Sequence, residues 1–513
     1  MSKLYVFAIG GSGSRVLKSL TMLLAAGVKC DVNTIVPIIL DKDSSCYNET
    51  KELINNYIDT QEYAPKYDEG KVENRFFNTK FELLNNNLVW NLENKEDSFK
   101  KYIQYNNLSG TTVKTKALVD ILFSKSTLEM STSVGFQGNP NVGSVVLNQF
   151  NEQKGFKTFG DKIDSSDKIF IISSIFGGTG ASGFPILLKT LNNPPTGPDG
   201  VTSPDKIKKA AKGAITILPY FKVSSDKEGE NKNSLVPKTF IPGTKAALHY
   251  YETLDKKIDS LYYIGEPDEL RVTYKHEKGG SKQEEEDKAH IVELAAALAV
   301  IDFANNSSIK REDNGVTVCE TIYKEFGIGA DPVEEKNKKG EVHLITTDEK
   351  EVGFNNLPKT TKELIKQPLL QLLLMQKYIL ERLQSEKGKT TYLEKLGINN
   401  NFFNGDSMKS MLAVLSKYYL YLQELETGGN EKRKFDPFSL GTDDPFKILK
   451  NETVKTGWKE SSSWTWFLDK LNHEIEKVNA SINDTTGNKK TEKKIVELFY
   501  RVSEQFYNRL NQK

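Results

Sequence analysis

The sequence predicts an α/β protein: a parallel sheet wound with helices, a long central helix, and a second, α+β half that is largely helical. Three observations predict it. Short apolar runs rich in β-branched residues recur through the first half, each leading into a glycine-rich or acidic turn and then a helical pattern, the order of a chain of βαβ units. Ala289 to Phe303 is rich in Ala and Leu and contains neither Gly nor Pro, the mark of a long buried helix. From about Asn356 onward, helical periodicity dominates.

Bulk properties narrow the class. The 513 residues suffice for two or three domains. Net charge is +1, so bulk charge points to no nucleic-acid or acidic-membrane partner. Cys30, Cys46 and Cys319 are scattered, with neither a disulfide framework nor zinc spacing, which fits a reducing cytoplasm. The apolar run Leu4–Ile9 is too short for a signal peptide. No stretch reaches the ~18 apolar residues of a membrane span. A cytoplasmic protein is expected.

The elements follow in order. Leu4–Ile9 reads as a buried strand, then Gly10-Gly11-Ser12-Gly13-Ser14-Arg15 as a turn, then Val16, Leu17, Leu20, Leu23 and Leu24 as one face of a helix. Ile35–Leu40 is the next strand, ending in Asp41-Lys42-Asp43 before a helix from about Ser44 to Ile58. Acidic residues at the carboxyl end of a parallel strand sit where ligands bind; Asp41 and Asp43 either hold a cation or cap the following helix. Helical patterns at about Lys80–Leu92 and Lys114–Phe123 carry no assigned chemistry. Gly135 to Gly143 reads FQGNPNVG after its first Gly, with Asn139 suited to an N-cap and Pro140 to a helix start. Ile169–Ser174 is a strand buried on both faces, followed by Phe176 and then Gly177-Gly178-Thr179-Gly180-Ala181-Ser182-Gly183, with a helix opening at Phe184. A strand, a glycine-rich turn and a helix make a phosphate cradle: glycine lets the backbone approach the anion, and the helix N–H groups face it. The hydroxyls of Thr179 and Ser182 are further donors.

Asn192–Lys206 is a Pro- and Gly-rich surface insertion, and Gly213–Tyr220 another buried strand. Ser224–Val236 is polar and read as mobile. A helix from Ala246 precedes the strand Tyr262–Ile264, which is read as the last of the core sheet. A charged loop over 273–288 leads to the long Ala289–Phe303 helix, with His290 and Glu293 at its head.

GGTGASG resembles the signature loop of the tubulin and FtsZ superfamily, GGTGSG or GGTGTG. It is not a Walker A loop, having no Lys after the last Gly, nor the dinucleotide GxGxxG. The other loops of that superfamily follow in its order. GGSGSR resembles the first nucleotide loop, GGGGxN, with Arg15 where a base-contacting Asn is usual; that departure leaves base choice open. GNPNVG resembles GANPEVG, which wraps the γ-phosphate side; Gly213–Tyr220 resembles VVTKPF; and Ala289–Phe303 falls where the superfamily has its central helix. The resemblance covers about residues 3–305. It implies a tubulin-like GTPase domain with a parallel Rossmann-type sheet, binding GTP or GDP with Mg²⁺. Carried over residue by residue, the nucleotide contacts are Gly10 to Arg15, Asp41, Asp43, Gly138, Asn139 and Gly177 to Gly183, with His290 and Glu293 near the base and Asp41 and Asp43 near the metal.

The superfamily hydrolyses GTP with acidic residues supplied by the next subunit, in FtsZ from an NxDxxD loop. No clean copy is present. Asp302 lies in VIDFAN, which echoes VDFAD; Asp302 and Asp313 are taken as catalytic candidates, with Glu312 and Asp331 competing.

Beyond residue 305, strand signals occur around Val316–Ile322 and Val342–Thr346. Helical patterns occupy Thr361–Leu383, Met408–Leu425, Trp464–Ile482 and Glu492–Leu510. The chain thus divides into a nucleotide-binding part over 1–283, a connecting helix over 284–306 and a mostly helical part over 307–513. The leading expectation is a GTP-binding protein stacking head to tail with itself, hydrolysing GTP at the joint. The alternative is a non-polymerising nucleotide switch working with partner proteins through its C-terminal helices. An NAD-dependent oxidoreductase ranks last. No direct nucleic-acid contact is expected.

Overall fold

The computed structural model describes residues 2–90, 98–108, 113–132, 136, 138–149, 154–197, 200–223, 237–254, 257–268, 271–274, 288–306, 321–325, 333–336, 342–345, 359–382, 395–396, 398, 402, 405–428, 435–442, 444–449, 463–483 and 490–511. The strands are β1 (Lys3–Ile9), β2 (Thr34–Leu40), β3 (Lys80–Phe81), β4 (Lys168–Ser174), β5 (Ala211–Ile217), β6 (Phe221–Val223), β7 (Ser260–Ile264), β8 (Val272–Tyr274), β9 (Ile322–Glu325), β10 (Val333–Lys336) and β11 (Val342–Ile345). Seven of them form one sheet in the order β3-β2-β1-β4-β5-β7-β9, and every pairing in it is parallel. β6 pairs with β8, and β10 with β11, in separate two-stranded sheets.

The β-branched runs make these strands because both faces are covered. Along β1, Leu4, Val6 and Ala8 enter one apolar cluster while Tyr5, Phe7 and Ile9 enter the other, the alternation of a strand with period two. The first cluster takes in the helix Gly10–Ala25, the central helix Ile291–Asn305 and the C-terminal helices. The second lies beneath the helices Pro140–Leu147, Lys154–Lys162 and Gly178–Asn192. The central helix is buried almost all round.

The four C-terminal helices stand where periodicity put them: Lys359–Gln376, continued by a π-helical turn Lys377–Arg382, then Asp406–Thr427, Ser463–Asn483 and Lys490–Asn511. They join the same apolar cluster as the first and central helices. The fully buried Glu497 accepts from the amides of Glu73 and Asn74, each at 2.9 Å. Phe76 meets Tyr500 at a ring separation of 5.1 Å. Lys417 pairs with Glu52 at 3.1 Å.

Several expectations need correction. Both glycine-rich turns are the opening turns of their helices, which begin at Gly10 and Gly178 and not at Val16 and Phe184. The helix expected over Lys80–Leu92 does not form in its described part, residues 80–90: β3 is followed by a tight turn with Asn85 and Asn86 at φ of 52° and 57°, and Val89 then bridges to Ile39. Asn tolerates the left-handed region, and the spaced apolar residues serve a loop lying on the sheet edge. β7 does not end the sheet, because β9 pairs beyond it. The helix expected from Ser44 is a short 3₁₀ turn, Ser44–Cys46, followed by the helix Asn48–Gln61. The expected insertion ends in a short helix, Pro204–Lys209. Ser224–Val236 lies outside the described residues. Among the described residues, no helix is long and apolar enough to cross a membrane.

Candidate phosphate-binding site

The sheet reverses its winding at β1, flanked by β2 on one side and β4 on the other. Ligands in open parallel sheets bind outside the carboxyl ends of the strands at such a point. Both glycine-rich segments leave the sheet there. The first helix starts directly after β1, and Gly178–Asn192 starts four residues after β4. Neither has a side-chain cap or an acidic residue in its first turn. The helix Pro140–Leu147 shares both properties, with Pro140 at its start and Asn139 at the N-cap position.

Close approach brings the three N-termini together. Gly10, at φ +73°, carries hydrogen where a Cβ would stand 3.5 Å from Thr179 Cβ and 3.6 Å from Gly180 N. A Cβ on Gly178 would fall 2.9 Å from Phe136 Cβ and 3.1 Å from Gly138 N. One on Gly143 would collide with Ser182 Oγ. Gly13 seats the first helix on the sheet, where a Cβ would lie 2.8 Å from the Ala8 carbonyl carbon. Gly177 is the N-cap of its helix, and Gly183 faces Ile9. The first turns of three uncapped helices therefore meet, and each carries partial positive charge. The hydroxyl of Ser182 points inward, donating to Gly178 O at 2.6 Å. Ala181 O accepts from Tyr251 at 3.3 Å. Ser12 is half-buried, whereas the hydroxyl of Ser14 is buried without a hydrogen-bond partner among the described residues.

The Asp41–Cys46 segment closes the same corner. Asp43 accepts from Ser45 N at 3.0 Å and Ser45 Oγ at 2.6 Å, so it caps the 3₁₀ turn. Asp41 accepts from Asp43 N at 3.2 Å. Burial pushes the Asp41 carboxyl up to about 7, and the neighbouring Asp43 charge adds to the rise. Cys46 Sγ lies 3.5 Å from where a Cβ on Gly11 would stand. Among the described residues, no three His, Cys, Asp or Glu side chains cluster as a metal site. Two carboxylates suit Mg²⁺ only when phosphate and water complete its shell.

The head of the central helix abuts this corner. His290 is its N-cap: Nδ1 accepts from Val292 N at 3.1 Å, and Glu293 Oε2 accepts from His290 N at 3.1 Å, a capping box. Glu293 Oε1 also accepts from Arg15 Nε and, at 2.8 Å, from Tyr220 OH. Arg15 Nη2 donates to Lys288 O at 2.6 Å. The two predicted base contacts, His290 and Glu293, are thus buried and hold the helix head, with Arg15 bound to one of them. Sequence reasoning missed the aromatic wall beside them. Phe176 meets Phe221 at 5.4 Å and Tyr220 at 6.1 Å, and Tyr220 meets His290 at 5.2 Å. The available signal was an aromatic residue just beyond the end of β4 and two just beyond β5.

Asp302 stands apart from these residues, near the far end of the central helix. It accepts from Tyr262 OH and Lys324 Nζ, each at 2.7 Å. Beside it, Lys168 Nζ donates to the carbonyls of Phe303, Ala304 and Asn306. Lys168 opens β4, so this is the end of the sheet opposite the glycine-rich turns. Asp313, Glu312 and Asp331 lie outside the described residues.

No protein-family model matches the sequence, and no curated protein matches it. Solved structures match part of the chain at low structural similarity. An FtsZ variant from M. jannaschii has 15 % identity and a TM-score of 0.25, with 52 % of this chain and 46 % of that chain covered. CetZ2 from Haloferax volcanii, solved as a GTPγS-bound protofilament, has 12 % identity and a TM-score of 0.28, with 63 % of this chain and 64 % of that chain covered. The chain spans about half the length of the FtsZ it matches.

Proposed function

We propose that this chain binds GTP in the cradle formed by the three helix N-termini and assembles head to tail, hydrolysing the nucleotide at each joint. One observation carries the binding: three uncapped N-termini free of acidic residues meet at the winding reversal of a parallel sheet. Each supplies backbone N–H groups and roughly half a positive charge, which together suit a polyphosphate. The order of the glycine-rich turns, resembling that of the tubulin and FtsZ superfamily, supports a nucleoside triphosphate over an isolated phosphate. Gly10 to Arg15, Gly138, Asn139 and Gly177 to Gly183 are its proposed contacts. In this reading the rings of Phe176 and Phe221, which pack against Tyr220 and through it reach Glu293, flank the base.

Asp41 and Asp43 are the residues that would hold Mg²⁺ together with the phosphates. The ion would neutralise charge on the phosphates and lower the barrier to attack by water. Assembly follows from polarity. The central helix has 15 residues, about 22 Å at ~1.5 Å per residue. It runs from the cradle to the end that bears Asp302. A stack joining unlike ends is open and grows into a filament, and it brings the Asp302 end of one subunit to the cradle of the next. In this reading Asp302, or Asp313, positions the attacking water. The parts 1–283, 284–306 and 307–513 act as binding unit, connecting helix and outer helical layer.

One observation favours the second reading, a non-polymerising switch: Asp302 is already held by Tyr262 and Lys324. Fluorescent GTP-analogue titration with Mg²⁺, run beside right-angle light scattering with GTP, GDP and ATP, tests both. Binding with GTP-dependent scattering supports the filament. Binding without scattering supports the switch. Absence of binding refutes the cradle.

A further inference from the structure

Net charge near zero hides a basic, apolar corner. The helix Val113–Leu122 has two apolar faces. Inward, Val119 packs on the core and the adjoining Phe123 meets Phe99 at 4.9 Å. Outward, Leu118, Ile121 and Leu122 are 53 %, 81 % and 58 % exposed. Their i, i+3, i+4 spacing makes them one stripe. Lys114, also exposed, stands one turn before Leu118 on that stripe, and exposed Lys125 follows three residues after Leu122. Lys100 and Lys116 lie 5.6 Å and 5.0 Å from the ring centroid of Tyr105, at the base of the same helix. Of the two acidic side chains described nearby, Asp120 accepts from Tyr105 OH at 2.6 Å, and Glu129 pairs with Lys100 at 2.9 Å. Among the described residues, the outward stripe carries no acid.

We propose that this corner docks on an anionic lipid surface, with Leu118, Ile121 and Leu122 entering the headgroup boundary and Lys114 and Lys125 meeting lipid phosphates. Two arguments choose the occupant. Among the described residues, the charges in line with the stripe, Lys114 and Lys125, are both positive, which complements an anionic surface. The stripe is also small. Three side chains fall far short of the ~800 Å² per partner in a stable protein interface, whereas a shallow amphipathic helix with basic flanks suffices for reversible lipid binding.

The test is flotation of the full chain, without nucleotide, on phosphatidylglycerol vesicles and on neutral phosphatidylcholine vesicles. Flotation on the anionic vesicles alone, fading as salt rises, is expected. Ile121→Asp, at a site too exposed to disturb the core, lowers the floated fraction about tenfold, and Lys114→Glu with Lys125→Glu lowers it similarly. Circular dichroism of each variant confirms folding. Failure to float, equal flotation on neutral vesicles, or unchanged flotation of Ile121→Asp would overturn the proposal. So would a fall in sedimenting mass in Ile121→Asp with flotation intact, which would mark the stripe as a protein contact.

Discussion

Ser12→Asp separates the stability of the first helix from its ligand. Ser12 is the third residue of Gly10–Ala25, a helix with no acidic residue in its first turn and no side-chain cap. A carboxylate there meets the positive end of the helix and stabilises the fold by about 0.3–1 kcal/mol. The same carboxylate opposes a bound phosphate. At about 5 Å and an effective dielectric of about 20, one unit charge repels another by about 3 kcal/mol, roughly two orders of magnitude in affinity. Stability and affinity thus move in opposite directions, which a merely misfolded variant cannot imitate. Thermal melts give the first quantity and titration with a fluorescent GTP analogue the second. A variant that melts higher yet binds within about threefold of the parent would refute the placement of the phosphates. A variant that melts lower would refute the open N-terminus itself.

Other outcomes follow from the same geometry. Gly13→Ala drives a methyl into the Ala8 backbone and lowers stability by about 1–3 kcal/mol in denaturant unfolding. Asp41 holds its proton up to about 7 when folded, against 3.8 as the reference. The folded state therefore binds more protons than the unfolded state in that window, and stability falls as pH rises from about 4 to about 7, by roughly 4 kcal/mol. Asp41→Asn flattens this slope, and a slope unchanged in the variant would assign the loss to another group. Glu293→Gln strips the charge from a buried carboxylate that serves Arg15, Tyr220 and the His290 amide, lowering stability by about 3 kcal/mol. Asp302→Asn leaves GTP affinity intact and abolishes phosphate release in the filament reading; unchanged release would remove Asp302 from the chemistry.

The parts of the fold legible in the sequence were those whose residues serve one local role. β1, β2, β4 and β5 are apolar runs buried on both faces, and the C-terminal helices carry broad apolar stripes, so pattern alone located them. The glycine-rich segments misled at their boundaries. Gly10–Ser14 and Gly178–Gly183 are poor in helix-forming side chains, yet they are helical because glycine is what lets three helix ends and two strands touch. Propensity reads the residue, whereas the backbone obeys the packing. Lys80–Leu92 failed for the opposite reason: apolar spacing suited a helix, but Asn85 and Asn86 turned the chain left-handed and laid it along the sheet edge. At the site, the glycine turns and Asp43 as a cap could be anticipated. The pairing of Arg15 with Glu293 could not, since 278 residues separate them and only the fold makes them neighbours.

The two ends of the central helix are both anchored. Its head is held by Arg15 and Tyr220 through Glu293, and its tail by Lys168, whose ammonium gathers three carbonyls. Lys168 begins the very strand that ends at the phosphate turn, so strand and helix behave as the two rails of a closed frame. Sliding the helix by one residue, about 1.5 Å, would break both anchorages together. Motion in this molecule is therefore steered away from a piston-like stroke of the central helix.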